Sequence, residues 1–129
     1  DVLTIASIIE REAVLQRDRP NVASVIYNRL RRGMPLQIDA TVQYALGGKA
    51  KLTLEDLRTP SPYNTYANPG LPPGPICCPG VPSIQAALHP NKTGYLYYVL
   101  THKDGSHSFT SSYSQFLKYK AAVQQEGLQ

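Results

Sequence analysis

Apolar residues recur between positions 3 and 15 with the spacing of an α-helix. In a helix, residues at i, i+3, i+4 and i+7 share one face. The stripe predicted on this basis consists of Ile5, Ile8, Ile9 and Glu12. The helix's polar side is expected to carry Thr4, Ser7 and Arg11. A carboxylate thus occupies a position where the pattern asks for an aliphatic residue.

A carboxylate among isoleucines loses hydration, and this loss disfavours its charged form and raises its pKa. A carboxylic acid that is still protonated near neutral pH is suited to general acid catalysis. Two structural interpretations remain open for Glu12, a buried ion pair with an arginine and a side chain that bends out to solvent. Glu10 is the weaker candidate because its helical neighbours are on balance smaller.

The remaining pattern predicts an α+β fold with several helices and one small antiparallel β-hairpin. A second helix begins near Pro20 and ends at Gly33, and it is expected to pack against the first as a helical hairpin. Three shorter helical segments follow, at 41–46, at Thr53–Asp56 as a capped turn, and at 83–88 with Ser83 as the cap. A last helix, capped by Ser111 or Ser112, is expected to reach about Glu126 with Gly127 beyond its end.

The hairpin is predicted from two β-branched and aromatic runs, 95–101 and 107–110, on either side of Asp104-Gly105. If Asp104 and Gly105 are the central residues of a two-residue turn, His102 faces His107 and Leu100 faces Phe109. These four side chains then lie on one side of the sheet.

Composition narrows the function only slightly. The 129 residues, of which 42% are hydrophobic, are sufficient for one globular domain, 1–129. No apolar run is long enough to span a bilayer, and the start at Asp1 leads us to expect a piece of a longer protein. The net charge of +4 allows an anionic partner. The basic residues are dispersed except for Arg29, Arg31 and Arg32, which suit the negative end of the second helix. No nucleic-acid motif accompanies them, so no nucleic acid is expected. The adjacent Cys77 and Cys78 have no zinc-type spacing and do not identify the compartment.

Metal and nucleophilic chemistry lack support in the sequence. His102 and His107 could share a metal ion, but no third ligand is placed and HExxH is absent. There is no G-x-S-x-G motif, P-loop or dinucleotide fingerprint. We therefore expect neither a metal nor a cofactor.

Polar and aromatic residues near the carboxylates favour a sugar cleft. Gln37, Asp39 and Thr41 form one cluster, and the long loop 59–80 contains Tyr63-Asn64-Thr65-Tyr66. Aromatic faces beside amide and hydroxyl groups suit N-acetylated sugars. The alternatives are a helix cap for Asp39, packing for the tyrosines and an Asx turn at Asn64.

Several segments in order match one family. The segments are ASIIEREA, VIYNRLRRGMPLQIDATVQYALG, DLRTPSPYNTY, GLPPGPI and LHPNKTGYLYYV. Together they resemble the endolytic murein transglycosylase family (MltG, or YceG-like) over nearly the whole chain. The chain departs from the family's pattern at Ala40, where a proline is frequent, and at Cys77-Cys78.

The resemblance implies a lyase that cuts nascent peptidoglycan strands within the chain, between N-acetylmuramic acid (MurNAc) and N-acetylglucosamine (GlcNAc), without water. Its catalytic acid and base would be Glu12, in a domain with a lysozyme-like arrangement around the acid. Substrate contacts are expected, from motif position and polarity, at Gln37, Asp39, Thr41, Tyr63, Asn64, Tyr66 and His107. The full-length protein would be anchored at the extracytoplasmic face of the bacterial plasma membrane, with a LysM-like domain, beside cell-wall synthases such as penicillin-binding proteins.

Two other functions remain open. One is a peptidoglycan-binding module without turnover. The other is a hydrolytic muramidase that uses Asp39 as a second carboxylate, because most glycoside hydrolases need two.

Overall fold

The computed structural model describes residues 1–126, which form five α-helices and one antiparallel hairpin. The elements are α1 (Val2–Glu12), α2 (Arg19–Arg31), α3 (Asp39–Ala45), α4 (Val81–Leu88), β1 (Tyr97–Leu100), β2 (His107–Thr110) and α5 (Tyr113–Glu126). Two 3-10 turns, Gln16–Asp18 and Asp56–Arg58, lie in the connections. The predicted α+β class with a small hairpin is confirmed.

The centre of the core is α1, whose Ile5, Ile8 and Ile9 are almost fully buried, as the stripe predicts. Each such side chain contributes about 1.5–3 kcal/mol through its burial. The helix ends at Glu12 because Ala13 has an extended backbone, with φ −85° and ψ 129°. The predicted extension to Leu15 was therefore too long. Glu12 becomes the last helical residue.

The predicted polar side of α1 was wrong for two of its three residues. Thr4 and Ser7 are buried, because α4 and the segment around Ile76 pack on that side. The Ser7 hydroxyl is satisfied there, since it donates to the Thr4 carbonyl at 2.7 Å and accepts from the Ile76 amide at 3.0 Å. The main partner of α1 is α4, and α2 comes second.

The second helix follows its prediction, with Pro20 in the first turn and Gly33 at φ +68° after the end. The third begins two residues earlier than predicted, at Asp39. The Asp39 carboxylate makes no capping hydrogen bond, so its interpretation as a cap was wrong.

The hairpin register differs from the predicted one by two residues. Tyr98 faces Phe109 and Leu100 faces His107. The two-residue turn was wrong because the connection is longer, and Asp104 accepts hydrogen bonds from the amide and hydroxyl of Ser106 within it. A shift of two keeps every side chain on its predicted side of the sheet.

Two of the other three predicted caps are present. Thr53 and Asp56 exchange hydrogen bonds reciprocally, and Ser112 accepts from the Gln115 amide at 3.2 Å. Ser83 was wrong as a cap, because α4 starts two residues earlier and the Ser83 hydroxyl donates to Glu10 at 2.9 Å. Gly127 lies outside the described residues. Over 1–126, no helix combines the length and apolarity that crossing a membrane requires.

Candidate active site

A cleft of about 380 Å³ opens between the end of α1, the start of α3 and the layer formed by β1 and α5. Its polar lining consists of Glu12, Arg29, Gln37, Asp39, Tyr66 and Lys120. Its apolar and aromatic lining consists of Val25, Ile26, Leu36, Ile38, Tyr97, Tyr98, Tyr113 and Phe116. Two carboxylates, several phenols and an apolar floor thus share one concave surface, as is typical of small-ligand sites.

Glu12 projects into this cleft from the last turn of α1 and remains partly exposed to it. The loss of hydration raises the pKa of Glu12, and the charge of Asp39 raises it further. The hydrogen bond from Tyr98 and the charge of Arg11 act in the opposite direction and do not cancel the rise. The structure therefore brings Glu12 into the environment that an acid catalyst needs.

The Tyr98 hydroxyl donates a hydrogen bond to Glu12 Oε1 at 2.7 Å. The Tyr98 ring packs against two aromatic residues of β2. The His107 ring lies edge-on to it at 5.6 Å between centroids, and the Phe109 ring lies at 6.0 Å. Burial and the nearby Glu12 carboxylate raise the pKa of Tyr98 well above its usual value, so the phenol keeps its proton and stays a donor. Glu12 is thus held at one oxygen.

On the other side of Glu12, the start of α3 presents Gln37 and Asp39 to the cleft. The Tyr66 hydroxyl donates to Asp39 Oδ1 at 2.5 Å, and burial together with this contact raises the pKa of Tyr66. Gln37 is exposed and adopts φ +53°, a conformation that non-glycine residues rarely take. Three of the predicted substrate contacts therefore lie beside Glu12.

Two others, Thr41 and Asn64, are fully buried and hold the cleft loops in place. Thr41 bonds to the Thr65 hydroxyl at 2.9 Å, and Thr65 accepts from the Ile38 amide at 2.9 Å. Asn64 accepts from the Tyr66 amide at 2.9 Å, which is the Asx turn considered from the sequence. Both side chains act on the residues that reach the cleft and do not line it.

Tyr63 and His107 also lie outside the cleft lining. The Tyr63 ring packs on Tyr44 with centroids 4.8 Å apart. His107 stands behind Tyr98, and its amide donates to Asp18 at 2.9 Å. Burial lowers the pKa of the His107 ring despite the nearby Asp18 carboxylate.

Arg29 is a residue of the cleft that the sequence does not single out, because its local pattern indicates only a basic charge at the end of α2. Its guanidinium is buried and donates to the carbonyls of Leu96 at 2.7 Å, Pro35 at 2.9 Å and Leu36 at 3.2 Å. It also lies 5.0 Å from the centroid of the Tyr97 ring. Arg29 therefore ties β1 to the segment that leads into α3, across the floor of the cleft.

The β1–α5 side of the cleft was missed as well. Tyr97, Tyr98, Tyr113, Phe116 and Lys120 line it. The alternation in the YLYYV run could have placed Tyr98 with His107 and Phe109 on one sheet face, but no local pattern places that face against α1.

Glu10, the weaker candidate acid, lies outside the cleft lining. It accepts from the Gly80 amide and the Ser83 hydroxyl, both at 2.9 Å, and these bonds lower its pKa. Within the part of the chain described, no three His, Cys, Asp or Glu side chains are grouped to hold a metal ion.

Comparisons with known proteins agree with this architecture. The sequence profile of the YceG-like family matches residues 1–122. A Bacillus subtilis protein named endolytic murein transglycosylase is 51% identical over 120 residues, and one from Streptococcus pneumoniae is 40% identical over 111 residues. These matches cover 92% and 81% of this chain but only 33% and 20% of the relatives, so the chain spans a third or less of their length.

A solved structure shares the fold. The crystal structure of a YceG-like protein from Listeria monocytogenes superposes with a TM-score of 0.87 at 51% sequence identity. It covers 91% of this chain, which corresponds to 38% of that protein. The chain belongs to the YceG-like family.

Proposed function

We propose that the chain is the catalytic part of an endolytic lytic transglycosylase of peptidoglycan, with Glu12 as its single acid and base. The observation that carries the proposal is a carboxylic acid of raised pKa, held by Tyr98 in a cleft large enough for sugar residues. The names of the relatives from B. subtilis and S. pneumoniae support the substrate class.

In the proposed first step, protonated Glu12 donates its proton to the glycosidic oxygen between MurNAc and GlcNAc. The bond from that oxygen to C1 of MurNAc breaks, and GlcNAc leaves with a free 4-hydroxyl. In the second step the Glu12 carboxylate removes the proton of the MurNAc 6-hydroxyl, whose oxygen bonds to C1. The products are a GlcNAc end and a 1,6-anhydro-MurNAc end, no water is consumed, and Glu12 is again protonated.

The contacts of Glu12 fit both steps. Because Tyr98 occupies Oε1, the second oxygen is the one that remains to carry the transferred proton. The Tyr98 hydrogen bond stabilises the carboxylate that forms after the first step, while burial favours the acid before it. A pKa set between these opposing effects suits a group that must first give and then accept a proton.

The substrate contacts that we propose are Gln37, Asp39 and Tyr66, which line the cleft next to Glu12. We also propose that the Asp39 carboxylate, which lines the same cleft as Glu12, stabilises the positive charge that develops at C1. For Thr41 and Asn64 we propose a supporting role through their loops. Substrate contact by Tyr63 and His107 remains a prediction.

One observation favours a second candidate, a hydrolytic muramidase. Asp39 lies in the same cleft as Glu12 and is near enough to raise its pKa. In that case Asp39 would act on a water molecule or on C1, and the product would have a reducing end instead of an anhydro end.

The proposed substrate also indicates where the protein acts. Because glycan strands lie outside the cytoplasm, we propose action at the extracytoplasmic face of the plasma membrane. An association with cell-wall synthases remains a prediction, as does the assignment of 1–129 as one catalytic domain.

The test is cleavage of nascent glycan strands by the wild type, Glu12→Gln and Glu10→Gln. Removing an essential acid lowers kcat by about 100-fold or more, so Glu12→Gln should lose turnover. Glu10→Gln changes a carboxylate of the same helix that contacts Gly80, Ser83 and Arg19 outside the cleft, and it should retain turnover. Wild-type turnover in Glu12→Gln would contradict the assignment. If all three proteins bind the strands and none of them cleaves, a binding module is supported instead.

A further inference from the structure

We propose that the β1–α5 wall of the cleft is a subsite for the stem peptide of the muramoyl residue, in which Lys120 binds a peptide carboxylate. The proposal rests on the proposed function, since it assumes a peptidoglycan strand in the cleft. It assigns a role to the residues of this wall that the acid–base mechanism leaves unused, which are Tyr97, Tyr113, Phe116 and Lys120.

The wall is an aromatic surface. Tyr97 and Phe116 stack with centroids 4.9 Å apart at an interplanar angle of 25°, and Tyr113 lies 5.7 Å from Tyr97. Tyr113 is 59% exposed although it is large and largely apolar. An exposed aromatic surface inside a cleft is typical of a binding surface, because it offers contact area at a small entropic cost.

A cation stands on this surface. Lys120 Nζ lies 5.3 Å from the centroid of the Phe116 ring and lines the cleft. Among the side chains that the structure describes, Lys120 has no carboxylate partner, whereas Lys49 on the surface pairs with Asp56 at 2.6 Å. An ammonium group held over an aromatic ring and left without a counter-ion is available to an anionic ligand.

The charges of the cleft give the ligand a direction. Glu12 lines the cleft from α1 and Asp39 from α3, whereas Lys120 lines it from α5. The N-acetylated sugars of a peptidoglycan strand are neutral, and its negative charges are carboxylates of the stem peptide carried by MurNAc. Such a peptide is repelled by Asp39 and attracted by Lys120, which places the muramoyl residue and its 6-hydroxyl in one orientation over Glu12.

The experiment compares intact glycan strands with the same strands after their peptide carboxylates have been converted to neutral amides. The proteins are the wild type, Lys120→Met, Lys120→Arg and a control, Lys118→Met, on an exposed residue of α5 outside the cleft. We expect the wild type to cleave intact strands with a kcat/KM about fivefold higher than amidated strands, the size of a partly exposed charge pair. The ratio should fall to about one in Lys120→Met and persist in Lys120→Arg and Lys118→Met.

An unchanged ratio in Lys120→Met, with an active wild type, would overturn the subsite and leave the proposed function standing. If the wild type cleaves neither strand, the proposed function fails, and binding of a soluble muramoyl peptide by calorimetry decides the subsite separately. There we expect the Kd of Lys120→Met to exceed that of the wild type about fivefold at low salt and to converge at high salt. Equal Kd values at low salt would overturn it.

Discussion

The Tyr98 hydroxyl donates a hydrogen bond to Glu12 Oε1 at 2.7 Å, and the two residues are 86 positions apart in the chain. It connects the hairpin to the end of α1 at the point where the helix stops. Burial raises the pKa of Glu12, and the Tyr98 bond limits the rise. The acid strength of Glu12 therefore depends on the position of the hairpin as well as on its own helix.

Tyr98→Phe removes a donor that favours the charged form of Glu12. The pKa of Glu12 should rise further, so the pH above which the acid is deprotonated and kcat declines should move upward. With Glu12 no longer held at Oε1, kcat at its optimum should fall by about tenfold or more. A pH profile of kcat checks both effects, with Tyr95→Phe, a hairpin tyrosine stacked on Phe109, as the control. An unshifted profile in Tyr98→Phe would show that the bond does not tune the acid.

Asp39→Asn removes the charge that helps to raise the pKa of Glu12. The pKa of Glu12 should fall, and kcat should decline from a lower pH than in the wild type. A transglycosylase should keep measurable turnover below that pH, reduced by about tenfold because the developing charge at C1 loses a counter-charge. The same pH profile measures this, with Glu55→Gln on an exposed turn as the control. Complete loss at every pH would favour the muramidase.

Thr41→Val keeps the shape of a buried side chain and removes its hydroxyl. The hydroxyls of Thr41 and Thr65 bond to each other beside the Ile38 amide, so the loss should lower the free energy of unfolding by about 1–2 kcal/mol. KM should also rise, because Gln37 and Asp39 lose part of their support. Urea unfolding and steady-state kinetics check this, and Thr41→Ser, which retains the hydroxyl, should recover most of KM. A raised KM at unchanged stability would instead point to direct contact with substrate.

Glu12→Gln should be more stable than the wild type at high pH. Because the folded-state pKa of Glu12 is raised, the folded wild type binds more protons than the unfolded chain between the two pKa values, and its stability falls as pH rises through this window. Glutamine does not ionise, so it makes no pH-dependent contribution to stability, and its side-chain oxygen can still accept the Tyr98 hydrogen bond. We expect Glu12→Gln to be more stable than the wild type above the folded-state pKa and almost equal to it below the unfolded one. Urea unfolding at both ends of this range measures it, and an equal difference at both would contradict a raised pKa.

Local patterns predicted the part of the site that local structure determines. The position of Glu12 relative to Ile5 and Ile9 depends only on the helical period, so it could be read directly from the sequence. The same period failed for Ser7, because a helix packed on two sides buries residues outside its main stripe.

The other half of the cleft depends on contacts between distant segments. Arg29 could be read as a helix-end charge from its neighbours, whereas its partners are three carbonyls of segments that only the fold brings to it. Thr41 and Asn64 are residue types that often contact sugars. Only the fold shows that both are buried and hydrogen-bonded to loop residues. In the hairpin, the two-residue error in register left Leu100, His107 and Phe109 on one face as predicted, since side chains alternate with a period of two.

Mass spectrometry of the ends formed on nascent glycan strands distinguishes a transglycosylase from a muramidase when the wild type and Glu12→Gln are incubated with the strands in parallel. We expect anhydro-muramoyl ends, one water lighter than hydrolysed ends, with the wild type and none with Glu12→Gln. Hydrolysed reducing ends from the wild type would contradict a transglycosylase and transfer the second role to Asp39.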